Sequence, residues 1–210
     1  RLGDHAGGAH DLLAAAIVER DHQIHPAVAR RALLRLGNEL DDAGVEPGAL
    51  ADHPQPHLVL VERVDLARYA GTWYEIASFP TRFQRGCTAT TATYGLRDDG
   101  RVSVRNRCLR DGGESAIEGV AWPVDESNAR LRVRFFWPFS GAYQILALDP
   151  DYRWAVVGHP SRDFLWILSR TPQLDEAVYR ALVAEAAAQG FEVTRLARTP
   201  QPEANAPLTP

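Results

Sequence analysis

Gly71-Thr-Trp73-Tyr-Glu75-Ile-Ala77-Ser-Phe79-Pro80 is the stretch on which the reading of this chain turns. Aromatic and β-branched residues, bounded by a glycine and by a proline that cannot donate to a ladder, predict a β-strand. A period of two puts Trp73, Glu75, Ala77 and Phe79 on one face and Tyr74, Ile76 and Ser78 on the other. Neither face is wholly polar, so the strand is expected to be covered on both sides. A large residue near its start and a small one midway suit a barrel plugged at its base and open farther up.

Downstream the texture stays that of short strands separated by turn signals. Residues 88–96, 101–109, 115–124, 130–137, 142–149, 153–159 and 163–170 continue the series, making eight with the first, at the spacing of an all-β sandwich or barrel. Asp98-Asp99-Gly100 reads as a hairpin turn, and Val102, Val104 and Asn106 share one face of the strand that follows it. In Arg130-Leu-Arg-Val-Arg-Phe135 the alternation puts Leu131, Val133 and Phe135 inside. It leaves Arg130, Arg132 and Arg134 as a solubilising, edge-protecting row. Thr171-Pro172 reads as an N-cap and first helical residue, Leu174, Val178, Ala181, Leu182 and Ala186 form an apolar stripe, and Gly190 ends the helix. Residues 191–196 read as a ninth strand and residues 200–210 as a disordered, proline-rich tail.

Upstream the chain is different. Residues 11–44 are alanine-, leucine- and charge-rich, with Pro26 dividing two helical candidates, and residues 46–57 carry four prolines and glycines in the manner of a linker. The expected organisation is a helical extension and linker over 1–57, a barrel over 58–199 and the tail. Six of the seven histidines lie in the extension, at positions 5, 10, 22, 25, 53 and 57. Prolines interrupt the helices that paired imidazoles would need, so solvated side chains and no metal site are expected.

Composition excludes several classes. A formal charge of -4 with interspersed signs does not make the basic field that nucleic acid requires. No apolar run approaches the roughly 18 residues of a spanning helix. The chain starts at Arg1 without any methionine, which reads as removal of an initiator and of a targeting peptide. No serine elbow, cysteine–histidine pair or phosphate-cradling glycine loop is present, so no cofactor and no catalysis are expected. His159 and Asp163 fall in a hairpin connection.

With these residues in view, Gly71-x-Trp73, Asp149-Pro-Asp151-Tyr152 and Arg170 resemble the three signature regions of the lipocalins. The longer runs at 71–77, 91–94, 96–100 and 165–172 are similar to the bacterial outer-membrane lipocalins and their apolipoprotein D-like relatives, over about residues 64–201. The resemblance implies an eight-stranded antiparallel up-and-down barrel with a C-terminal helix, holding one small apolar ligand. It also implies structural roles for Gly71, Trp73 and Arg170: the indole closes the base and the guanidinium packs across it from outside.

Cys87 precedes the second strand and Cys108 ends the third, and the hairpin makes positions summing to about 197 face one another. The pair sums to 195 and is therefore diagonal, near enough for a disulfide, especially with a bulge. A bridge implies an oxidising compartment, namely the periplasm, the outer membrane or the cell exterior. Two buried thiols are the alternative. Glu75, if interior, requires an arginine partner or a raised pKa, with a structural hydrogen-bonding role preferred.

The expected function is non-catalytic binding, storage or transport of a fatty acid or lysophospholipid. Burying ten methylenes contributes about 8 kcal/mol, against an association cost of roughly 4–15 kcal/mol, so the head group must add contacts. Arg82 and Arg85 are the cationic candidates for it. Ala77, Phe79, Phe83, Tyr94, Phe135, Phe139, Tyr143 and Trp166 are the candidate apolar lining. The alternative is a lipocalin-type enzyme acting on a lipophilic substrate around Glu75 or Tyr94. Peripheral membrane association, and a homodimer through the extension, are the further partner relations considered.

Overall fold

The computed structural model describes residues 57–82, 84–111 and 113–202. The expected helical hairpin and its dimer, the histidine pairs before residue 57, and Phe83 lie outside the described residues. A one-turn helix α1, Leu66–Tyr69, is started by Asp65, whose carboxylate accepts from the backbone N–H groups of Ala67 and Arg68. It delivers the chain to Gly71, where φ is +96° and a side chain would meet the Arg170 guanidinium at 3.2 Å.

The eight long strands are β1 Gly71–Ser78, β2 Thr88–Leu96, β3 Val102–Arg110, β4 Gly113–Pro123, β5 Arg130–Arg134, β6 Gly141–Leu148, β7 Trp154–Gly158 and β8 Leu165–Ser169. Each pairs antiparallel with the next, and β1 pairs with both β8 and β2, which closes the sheet into a barrel. Closure removes the open edges that a sheet of this size would otherwise expose. Helix α2, Glu176–Ala188, and a short strand β9, Ala197–Arg198, follow.

Two apolar clusters result. The interior one gathers Trp73, Tyr94, Val104, Val133, Ile145 and Leu168 among others. The second lies outside the barrel wall, where Leu182 and Ala186 of α2 and Phe191 cover Ile76, Phe79, Val156 and Ile167. Two bulges make this outer face. The register of β1 against β8 slips between Glu75 and Ala77, and that of β6 against β7 between Ile145 and Ala147. Each slip turns two successive residues, Ile76-Ala77 and Leu146-Ala147, toward the helix.

Four sequence expectations are corrected. The strict alternation of β1 fails at its bulge, so Trp73 and Glu75 stay inside while Ala77 and Phe79 turn outward. The cap of α2 is Asp175, whose carboxylate accepts from Ala177 and Val178 N–H, because the Thr171 hydroxyl is spent on the Gln173 carbonyl in a preceding turn. The ninth strand is Ala197–Arg198 rather than residues 191–196: Phe191 is buried beneath α2, and Val193–Arg195 forms a 3-10 turn. Residues 200–202, expected within a disordered tail, are ordered. Thr199 N–H donates to the Ile76 carbonyl, Ala89 N–H to the Pro200 carbonyl, and the Gln201 amide to the Glu75 and Thr90 carbonyls. Residues 197–201 thus form a strap that fills the seam between the upper half of β1 and β2.

Candidate functional site: a floored cavity in the barrel

The floor is built around Trp73, fully buried, whose indole N–H donates to the Tyr69 carbonyl at 2.8 Å. The Arg170 guanidinium lies 3.9 Å from the Trp73 ring centroid. It also donates to the carbonyls of Arg68, Tyr69, Thr72 and Tyr152. One side chain therefore ties α1, β1 and the β6–β7 turn to the end of β8. A cation stacked on an indole with its N–H groups satisfied is a stable closure in a partly desolvated position.

Above the floor stand three tyrosines, Tyr69 and Tyr94 buried and Tyr143 half-buried. The hydroxyls of Tyr69 and Tyr143 are 2.8 Å apart and those of Tyr94 and Tyr143 are 2.9 Å apart. Burial raises the pKa of all three, that of Tyr94 to about 12, because a phenolate would lack solvation there. The cavity beyond has a volume of about 100 Å³, with Val104, Val133, Phe135, Trp166 and Leu168 on its apolar wall. Phe135 leans over Gly119, where any side chain would meet the ring at 2.7 Å.

Toward the mouth the wall becomes polar. Glu75 is buried, with Oε1 accepting from Ser78 and Thr199 and Oε2 from Gln84. Desolvation raises its pKa, and these three donors oppose the shift without reversing it. Among the described residues no arginine pairs with it. Thr90 and Asn106 also line this part, beneath the disulfide that joins Cys87 to Cys108 across β2 and β3 with a Cα–Cα distance of 5.5 Å. The register of β2 against β3 slips between Thr88 and Thr91, which brings the diagonal pair together.

The structure brings Tyr94, Phe135, Tyr143 and Trp166 onto one cavity wall. It takes Ala77 and Phe79 away from it. The bulge sends both beneath α2, where Phe79 packs against Phe191 and under Arg195. Arg82 and Arg85 are exposed on the β1–β2 loop, because that loop points Thr81 and Gln84 inward instead. Phe139 is 40% exposed on the β5–β6 turn beside Trp137 at 82%. Sequence reasoning missed Tyr69, Gln84 and Thr90 as wall residues. Thr90 had a usable signal, since it shares the inward phase of Tyr94. Among the described residues no cluster of three or more histidine, cysteine or carboxylate side chains could hold a metal.

A closed eight-stranded barrel with an indole–guanidinium floor and an internal apolar cavity defines a class of β-barrel ligand-binding proteins. The family profile described as Lipocalin-like domain matches residues 64–201, and the chain belongs to that family. It is 46% identical over 154 residues to Outer membrane lipoprotein Blc of Citrobacter freundii, covering 72% of this chain and 87% of that protein. It is 42% identical to Temperature-induced lipocalin-1 of Arabidopsis thaliana (70% and 86% covered). It is 35% identical to bovine Apolipoprotein D (70% and 82% covered). Among solved structures, insecticyanin from the tobacco hornworm Manduca sexta superposes with a TM-score of 0.58 at 20% identity, covering 71% of this chain and 87% of that one. This last likeness concerns the fold.

Proposed function

We propose that this protein binds a small amphiphile with an acyl chain, a fatty acid or lysophospholipid, and stores or carries it without chemical change. The observation that carries this reading is the floored cavity, apolar below and polar toward its mouth, inside a barrel of the lipocalin family. Chain burial against Phe135, Val133 and Leu168 supplies the apolar contribution. Arg82 and Arg85 stand on the rim for an anionic head. The Cys87–Cys108 bridge and the similarity to an outer membrane lipoprotein support a periplasmic, outer-membrane or secreted location. Trp137 and Phe139, exposed on the same end as the rim arginines, supply an aromatic and cationic face suited to resting on a membrane while ligand is exchanged.

The test is a titration of solvent-extracted protein with a fluorescent fatty acid. Saturable binding is expected, and the cavity-filling variant Val104→Phe should weaken it at least about tenfold while the circular dichroism spectrum is retained. Absence of saturable binding to the wild-type protein would overturn the reading.

A further inference from the structure

Two polar atoms on the cavity wall are buried without any hydrogen-bond partner: the hydroxyl oxygen of Thr90, a residue 7% exposed, and Oδ1 of Asn106. Both side chains face inward. Asn106 is the partner of Ala92 in the β2–β3 register, and Thr90 lies one inward step from Ala92 along β2. An unpaired buried polar atom is costly, and most such atoms in folded proteins are satisfied. Neighbouring polar groups do not relieve these two. The Glu75 carboxylate is already occupied by Ser78, Gln84 and Thr199, and the Gln201 amide donates to the backbone carbonyls of Glu75 and Thr90 rather than to their side chains.

We infer that Thr90 and Asn106 form a subsite for a hydroxyl group of the bound amphiphile, so that the preferred ligand carries a free O–H beside its chain, as in a long-chain alcohol or a partly esterified glycerol. The argument is one of complementary donors and acceptors and rests on the lipid-binding reading above. Asn106 Oδ1 can only accept, whereas the Thr90 hydroxyl can also donate. A ligand hydroxyl does both at once, accepting from Thr90 and donating to Asn106. An ether or ester oxygen can accept from Thr90, or from the Asn106 Nδ2 donors, but has no proton to give Asn106 Oδ1. A site built to pair a hydroxyl rejects the analogue lacking it more strongly than an apolar pocket discriminates by size.

The experiment compares oleyl alcohol with its methyl ether, and both with oleate, in competition against the fluorescent fatty acid. The proteins are the wild type and the double variant Thr90→Val, Asn106→Leu. The wild type should bind the alcohol roughly tenfold or more tighter than the ether. The double variant should bind alcohol and ether alike, with its affinity for the ether no weaker than that of the wild type. Equal binding of the two by the wild type, or a preference that survives in the variant, would overturn the inference while leaving lipid binding intact. If none of the three competes and the fluorescent probe does not bind, the underlying reading fails and takes the subsite with it. Should the double variant fold poorly, the single Asn106→Leu protein keeps the comparison, since it alone removes the acceptor that the ether cannot satisfy.

Discussion

Glu75 stands two positions from the floor tryptophan and is buried, yet it carries a titratable group. A free glutamate titrates near 4.5, and burial raises this one. In the pH interval between those two values the folded protein retains a proton that the unfolded chain has released. Its contribution is therefore fully present at acid pH and is lost as pH rises through the folded value. Glu75→Gln should remove that loss. Urea midpoints measured from pH about 4.5 upward should fall more steeply for the wild type than for the variant; parallel profiles would contradict the assignment. At this scale Tyr94 and Glu75 were legible from position and type, and Trp73 and Arg170 through the family resemblance. Tyr69 was not, because its role depends on α1 folding back so that its hydroxyl meets that of Tyr143.

Among the elements, β1 shows most clearly where sequence periodicity stops being a guide. Its first half obeys a two-residue alternation, and the floor was readable for that reason. Its second half does not, because the bulge at Ile76 supplies two successive outward residues for α2 to cover. An apolar residue fits either side of a wall that is buried on both faces, so nothing in Ala77 or Phe79 declares which side it takes. The β2–β3 hairpin is the opposite case: its turn sets the register from Leu96 back to Thr91, and the slip between Thr88 and Thr91 brings the cysteine pair together. That bridge spans a sequence separation of 21, for which loop-closure entropy gives roughly 3 kcal/mol. Replacing both cysteines by serine should lower unfolding stability by about that amount while the barrel still forms. Denaturant titration with matched slopes is the check.

For the molecule as a whole, barrel, C-terminal helix and family were legible, since eight strand signals at regular spacing and three short motifs agree with one another. The strap was not, because Thr199-Pro-Gln-Pro202 has no apolar period and holds on by polar side chains and backbone groups. Truncation after Leu196 would delete β9 and these bonds, and would take one donor from Glu75. At about 1 kcal/mol net for each hydrogen bond, the expected cost is several kcal/mol and a lowered thermal midpoint. An unchanged midpoint would show that the seam closes without the strap.

The same strap sets a timetable. Its bonds to Glu75 join residues separated by 124 and 126 positions, so a chain synthesised from its N-terminus carries the upper half of β1 with one flank unzipped until residues 197–201 emerge. Such long-range pairings form late, and an unpaired flank is a place where another chain can add. The barrel is thus a vessel whose side is laced shut by residues 197–201, and the interval before lacing is when a nascent copy is most open to a chaperone or to a neighbouring copy.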